Sequence, residues 1–163
     1  MISQINITKV SNDDDLRSVF KQLDETDNRI VGAMLVDDVL SLTTDERVKR
    51  AISKALEKEA SNDELGDVFK SLKRAVIDSS TRCGAAGDWD DQASHFVTRA
   101  ANAVVTPRSQ RDTVNQLWQI VQSCRMARSC SLIASSDDSD NPEAEYQYKI
   151  VSDFLNNKSS SAA

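Results

Sequence analysis

Cys83, Asp91 and His95 are the residues of this chain whose types and spacing come nearest to a reactive centre. A thiol becomes a nucleophile when a neighbouring imidazole takes its proton, and a carboxylate one helical turn from the histidine orients the ring. Asp91 precedes His95 by four residues and Arg99 follows it by four. The same row also reads as a solvated helix edge, with Cys83 a small residue packed in a loop. The stretch Cys83-Gly84-Ala85-Ala86-Gly87 matches no cysteine-hydrolase signature, and it lacks the lysine that follows the second glycine of a phosphate-cradling loop. No catalytic residue is therefore expected, and Cys83, Asp91 and His95 are the candidates to check against it.

Metal chemistry is poorly provided for. The chain has one histidine and three cysteines, Cys83, Cys124 and Cys130, without structural zinc spacing. Asp137, Asp138 and Asp140 lack the glycine and closing glutamate of a calcium loop. Asp37 and Asp38 interrupt an apolar helix, but a di-iron bundle needs Glu-x-x-His pairs that one histidine cannot supply. These two carboxylates are expected to pair with an Arg or Lys of a neighbouring helix or to reach water. Neither a metal nor a cofactor is expected.

The elements that would position these groups are helices. Ile5, Ile7 and Val10 alternate with polar residues, which suits a short strand or an extended arm over residues 1–11. Asn12-Asp13-Asp14 then caps a first helix with Leu16, Val19, Phe20 and Leu23 on its apolar face. Thr26 or Asp27 is expected to cap a second helix, apolar nearly all round from Ile30 to Leu42 and so central to the core. The stretch Thr26-Asp27-Asn28-Arg29-Ile30-Val31-Gly32-Ala33 through Asp37-Asp38 resembles the opening helix of mannitol-repressor-like helical proteins. That resemblance covers under a tenth of the chain, and no function is carried over from it.

Thr43 with Glu46, and Ser61 with Glu64, have the spacing of capping boxes for a third and a fourth helix. Val48, Ile52 and Leu56 make a narrow stripe on the third; Leu65, Val68, Phe69, Leu72 and Val76 a wide one on the fourth. Residues 78–88, small and polar with two glycines, predict a loop. Asp88 caps a fifth helix whose buried face would be Trp89, Ala93, Phe96, Val97, Ala100 and Val104. A sixth is expected from about Pro107 to about Ile133, with a kink or an end near Ser129 as the alternative. An acidic flexible linker over 134–141 precedes a last helix opened by Pro142, and 159–163 should fray. The expected architecture is all-α: a single domain over 1–158, a bundle of six to seven mostly antiparallel helices.

Composition narrows the function classes. The chain of 163 residues is long enough to bury a core without disulfides, and its net charge of −6 disfavours a phosphate backbone as partner. The best basic row is Arg108, Arg111, Arg125 and Arg128, with few aromatics between to stack on bases. Sparse cysteines and the lack of an apolar span point to a reducing, cytosolic setting away from membranes. The leading expectation is a non-catalytic helical protein that binds another protein or a second copy of itself. It would serve as a regulator, adaptor, immunity or inhibitor protein, or phage or viral assembly factor. Tyr146, Tyr148 and Phe154 on the last helix are the expected anchors, because interfaces favour aromatics. The rivals are an enzyme or small-molecule binder using the Cys83–His95 region, and a nucleic-acid-linked regulator using the arginine row.

Overall fold

Side-chain oxygens at five helix starts decide where the chain turns helical. Asn12 accepts from the Asp15 amide, Asp24 from Asp27, Asp45 from Arg47, Ser61 from Glu64 and Asp88 from Asp91. Each satisfies an amide that the helix itself leaves without a partner. The computed structural model describes residues 9–107 and 115–161. Its elements are α1 (Asp13–Phe20), α2 (Glu25–Asp37), a 3-10 turn (Leu40–Leu42), α3 (Glu46–Leu56), α4 (Asn62–Ala86), α5 (Trp89–Val105), α6 (Gln116–Ala134) and α7 (Glu143–Ser161). The expected all-α bundle is what forms, with seven helices and no strand among the described residues. The N-terminal strand or arm falls mostly on residues 1–8, outside the described residues.

Several boundaries differ from the expected ones, each for a local reason. α2 starts two to three residues early because Asp24, not Thr26 or Asp27, is the cap. It stops at Asp37, and Leu40–Leu42 tightens into a 3-10 turn where a continuous helix was expected. Thr43 and Glu46 form no box: Asp45 caps α3, while the Thr43 hydroxyl pairs with Ser94 Oγ at 2.8 Å and accepts the Asp45 amide at 3.2 Å. The Ser61–Glu64 box forms, and Asp88 makes another with Asp91.

The largest correction concerns 78–88. Helix α4 runs on to Ala86, and the hydroxyls that suggested a loop bond back within the helix, Ser79 to the Val76 carbonyl at 3.1 Å and Thr81 to the Ile77 carbonyl at 2.9 Å. Gly87 makes the turn into α5. A Cβ there would lie 2.7 Å from the Arg82 carbonyl oxygen, so no other residue fits without movement. Helix α6 runs unbroken from Gln116 past Ser129 to Ala134, and residues 108–114 of the expected sixth helix lie outside the described residues. Helix α7 continues through Ser161, into the stretch expected to fray.

One buried cluster takes side chains from every helix, and α2 lies at its centre. Val31, Ala33, Leu35 and Val36 of α2 are buried on several sides, so α3, α5, α6 and α7 can all pack on it. Gly32 brings its backbone close to α5 and α6. A Cβ there would sit 3.3 Å from Val104, Leu117 and Ile120, which leaves no spare volume. The widest contact in the molecule is between α5 and α6.

The segment after α6, expected to be a free linker, is tied at both ends. Ser136 takes a left-handed conformation with φ 55°. Its amide bonds the Ile133 carbonyl at 3.0 Å and the Asp137 amide bonds the Leu132 carbonyl at 2.9 Å, a Schellman stop built on serine rather than glycine. Asn141 then donates to the Arg125 carbonyl at 2.9 Å and to Ser129 Oγ at 2.8 Å, while accepting the Glu143 amide at 2.9 Å. Glycine at 136 removes the left-handed penalty that a Cβ carries, so Ser136→Gly should raise stability by about 0.5–1 kcal/mol. Urea unfolding monitored by circular dichroism checks this; a loss of stability would show that Ser136 is held by more than backbone preference.

Candidate functional site

The carboxyl half of α4 and the amino half of α5 bring Cys83, Asp91 and His95 to one edge of the bundle, but not into a triad. Their positions follow from the continued α4, which lays Ser79 and Cys83 along the first turns of α5. Cys83 Sγ donates to the Asp91 carbonyl at 3.3 Å. The Asp91 carboxylate is occupied by the capping box, accepting the Asp88 amide at 3.4 Å. His95 Nδ1 lies 2.8 Å from Ser79 Oγ, a fully enclosed hydroxyl that gives its own proton to Val76. The shared bond is therefore filled by the Nδ1–H, leaving Nε2 with its lone pair.

The electrostatics oppose an activated thiol. Burial, reinforced by the Asp91 charge, pushes the Cys83 thiol above its usual value. Burial, with the Arg99 charge beside it, pulls His95 down, so the ring is neutral near pH 7. Neither hydrogen bond of the pair joins sulfur to imidazole. Beside them opens a polar cleft of about 480 Å³ lined by Thr44, Asp45, Arg47, Arg82, Asp90, Asp91 and Ser94. Arg47 spans it, bonding Asp45 at 2.8 Å and Asp78 at 2.9 Å. The Arg47 hydrogen bond holds the Asp45 carboxyl below the usual range.

The last helix is docked on the bundle by two arginines of α6. Arg125 forks onto Asp13 of α1, at 2.7 and 3.2 Å, and donates from Nε to Gln147 of α7 at 2.8 Å. Tyr148 also donates to Asp13, at 2.7 Å, so one carboxylate gathers α1, α6 and α7. Arg125 holds that carboxyl below its usual pKa. Arg17 stacks on Trp118 at 4.0 Å, closing the cluster from the α1 side. Tyr148 and Phe154, two of the expected anchors, are thus partly buried against their own core, while Tyr146 is exposed near Arg128. The three do not share one free surface. Of the basic row, Arg108 and Arg111 lie outside the described residues, and Arg125 and Arg128 are spent on internal pairs.

Arg128 serves two carboxylates at once. Its Nε meets the fully buried Glu143 at 2.9 Å, and it reaches Asp38 at 3.8 Å and the Asp38 carbonyl at 3.3 Å. Asp38 thereby finds the expected arginine on a neighbouring helix, and Asp37 is exposed. Oδ2 of Asp38 and Oε2 of Glu143 are buried with no donor among the described residues. Burial, and then the facing Asp38 carboxyl, push Glu143 up to about 8. Among the described residues no three His, Cys, Asp or Glu converge as metal ligands would.

A surface missed from sequence lies on the outer side of α5 and α6. Gln116 at the start of α6 bonds the Ala103 carbonyl near the end of α5, and Phe96 and Met126 line one cleft further along, so the two helices run antiparallel. Trp89 and Phe96 are seven residues apart on α5, and Met126 and Ile133 seven apart on α6, so each pair shares a face. Trp89 is 44% exposed, Met126 48% and Ile133 50%. Trp89 was expected in the core; it sits instead on the flank of the arc formed by Ala93, Val97 and Ala100. Both charged residues of α6, Arg125 and Arg128, turn to the opposite side. The signal available in sequence was this spacing of seven, together with a long helix carrying no carboxylate.

No family model, curated protein or solved structure matches this chain, and the short resemblance of residues 26–38 stands without a family match.

Two outcomes follow from these sites. Cys83 should be alkylated by iodoacetamide at pH 7.5 more slowly than a free thiol; faster reaction would mean that an activating base reaches it. Glu143 is raised from 4.5 to about 8, so its protonated form stabilises the fold fully below pH 4.5 and that stabilisation is lost as pH rises through 8. Glu143→Gln keeps an acceptor for Arg128 and supplies a donor to Asp38. Its Tm should exceed the wild type by several degrees at pH 8.5 and approach it at pH 5, and equal pH slopes would contradict a Glu143 carboxyl raised by burial beside Asp38.

Proposed function

We propose that this protein is a non-catalytic, cytosolic helical protein that works by binding another protein chain, as a regulator, adaptor, inhibitor or assembly factor. The observation that carries the reading is the stripe of Trp89, Phe96, Met126 and Ile133 on the outer side of α5 and α6. Interface cores are enriched in aromatics and methionine and depleted of carboxylates and lysine. In a chain with 28% charged residues, two long helices presenting one exposed arginine between these apolar groups have that composition. The cytosolic setting is supported by three unpaired cysteines and by the absence, among the described residues, of a helix long and apolar enough to cross a membrane.

The docking role first expected of α7 is not part of this reading, since Tyr148 and Phe154 serve the protein's own core. A second reading keeps the cleft beside Asp91 and Ser94 as a small-molecule pocket. Its volume of about 480 Å³ favours it, and the Asp45–Arg47 pair already occupies two of its charges, which weakens it.

The test compares wild type with Met126→Asp and Ile133→Asp, both at exposed positions where folding should be unchanged within about 0.5 kcal/mol. Tagged wild type should retain a stoichiometric protein partner, supplied by its native cytosol or by the chain itself, and both variants should release it at least tenfold more readily. Retention of the partner by both variants moves the interface elsewhere. Absence of any partner, with a thermal shift on adding a metabolite that Ser94→Trp abolishes, favours the cleft.

A further inference from the structure

Arg29 of α2 is a buried cation that no carboxylate pairs with among the described residues; it is 9% exposed. Its Nε donates to the Ala55 carbonyl at 3.0 Å, and its Nη2 to the Glu57 and Lys58 carbonyls at 2.6 and 3.2 Å. These bonds fix the guanidinium against the end of α3. They leave Nη1 without an acceptor among the described residues. Carbonyl dipoles offset a full charge only in part, and a buried arginine ordinarily has an ionic partner. Arg29 lines a cavity of about 630 Å³, within the range of small-molecule sites.

We infer that this cavity binds a small phosphate monoester, with its phosphoryl group on Arg29 Nη1 and the Lys58 ammonium. Lys58 also lines the cavity and is exposed, and its ammonium makes no ion pair among the described residues. Glu25 is the one carboxylate among the described lining residues, so the wall is positive on balance in a chain of net charge −6. The first turns of α2 and α4 open on the cavity at Thr26 and Asn62, and the last turn of α5 closes it at Val105. Two positive helix ends thus face one negative end. The class of anion follows from which nitrogens are free. A planar carboxylate is gripped best by two parallel N–H groups along one edge of the fork. Arg29 has spent Nε and Nη2 on carbonyls. What remains is one nitrogen and a rotatable ammonium, which suit a tetrahedral group with three oxygens. Near pH 7 such a group carries close to two negative charges, matching the two cations.

Gly66 keeps the cavity open. Glycine weakens a helix relative to alanine, yet it stands early in α4 on the cavity wall, where a Cβ would meet nothing within 4 Å. The missing side chain leaves space there and permits no close approach of another backbone. Leu65, Val104 and Pro107 supply apolar wall for the carbon body of an ester. A monoester of about 11 non-hydrogen atoms at ordinary ligand efficiency should bind with a Kd of about 0.1–1 mM, and inorganic phosphate, which reaches only the cations, about tenfold more weakly.

Titration of the full chain with phenyl phosphate and with inorganic phosphate, followed by amide NMR near pH 7.5 at constant ionic strength, tests this. Phenyl phosphate should shift the Thr26, Lys58, Asn62 and Gly66 amides with one Kd, and phenylmalonate, a dianion of planar carboxylates, should bind at least tenfold more weakly. Lys58→Glu, at an exposed position, should weaken phenyl phosphate about tenfold. Gly66→Phe should abolish binding with helicity unchanged, while Gly66→Ala, which leaves most of the space, should bind as the wild type does. Arg29 stays intact in all three variants, since its removal would also free the end of α3. No shift with about 20 mM of either phosphate, shifts gathered at other residues, equal affinity for phenylmalonate, or binding that survives both Lys58→Glu and Gly66→Phe would each overturn the proposal. Should Gly66→Phe lose helicity, Lys58→Glu decides alone.

Discussion

Arg125 and Arg128 are the constraint on which the closed form of this bundle depends. They sit one turn apart on α6 and point to the same side, so one helix presents two guanidinium forks to three others. Arg125 gathers α1 and α7 at Asp13 and Gln147, and Arg128 gathers the end of α2 and the start of α7 at Asp38 and Glu143. Guanidinium suits this work because its planar donors serve two acceptors at fixed angles, which an ammonium does not. The arrangement also carries a cost. Removing one partner of a buried pair leaves the other charge unsatisfied, which is worth more than the pair itself contributes. The two clusters therefore act less as a source of net stability than as a statement of where α7 must lie.

That placement accounts for the distribution of surfaces. By drawing both α6 cations inward, the clusters leave the opposite side of α6 with glutamines, serines, Met126 and Ile133. The apolar exposed stripe and the buried polar clasp are two faces of one helix, and neither could be moved without the other. α6 therefore mixes types on both sides, with arginines beside its buried apolar residues and Met126 and Ile133 among its exposed glutamines. The Cys83–His95 edge stands apart from the arrangement, with its hydrogen bonds absorbed by Ser79 and by the Asp91 carbonyl.

Much of the fold was legible in the residues because capping and apolar spacing are local. The starts at Asn12, Ser61 and Asp88, the central position of the second helix and the core stripes of the third and fourth all follow from neighbours within one or two turns. The misread stretch, 78–86, has loop-like composition, yet its hydroxyls bond back to α4 and its packing on α5 supplies what propensity lacks. The candidate site was less legible. Asp13 and Arg125 are 112 residues apart, and no pattern in either helix announces their pairing. Trp89 and Phe96 belong to an apolar helix by composition; that they flank the buried arc is a matter of which side α6 occupies.

The pairing of Asp13 with Arg125 and Tyr148 also orders events in time. When α1 leaves the ribosome its carboxylate has no partner, and the tyrosine that completes the cluster follows 135 residues later. At about 5–20 residues per second that wait lasts about 7–27 seconds, far longer than helices take to form and pack. The α2–α6 body can assemble before α7 arrives, while Asp13 still lacks Tyr148. The chain thus spends part of its synthesis as an open body with a loose first helix, and the arrival of α7 is the step that ends it.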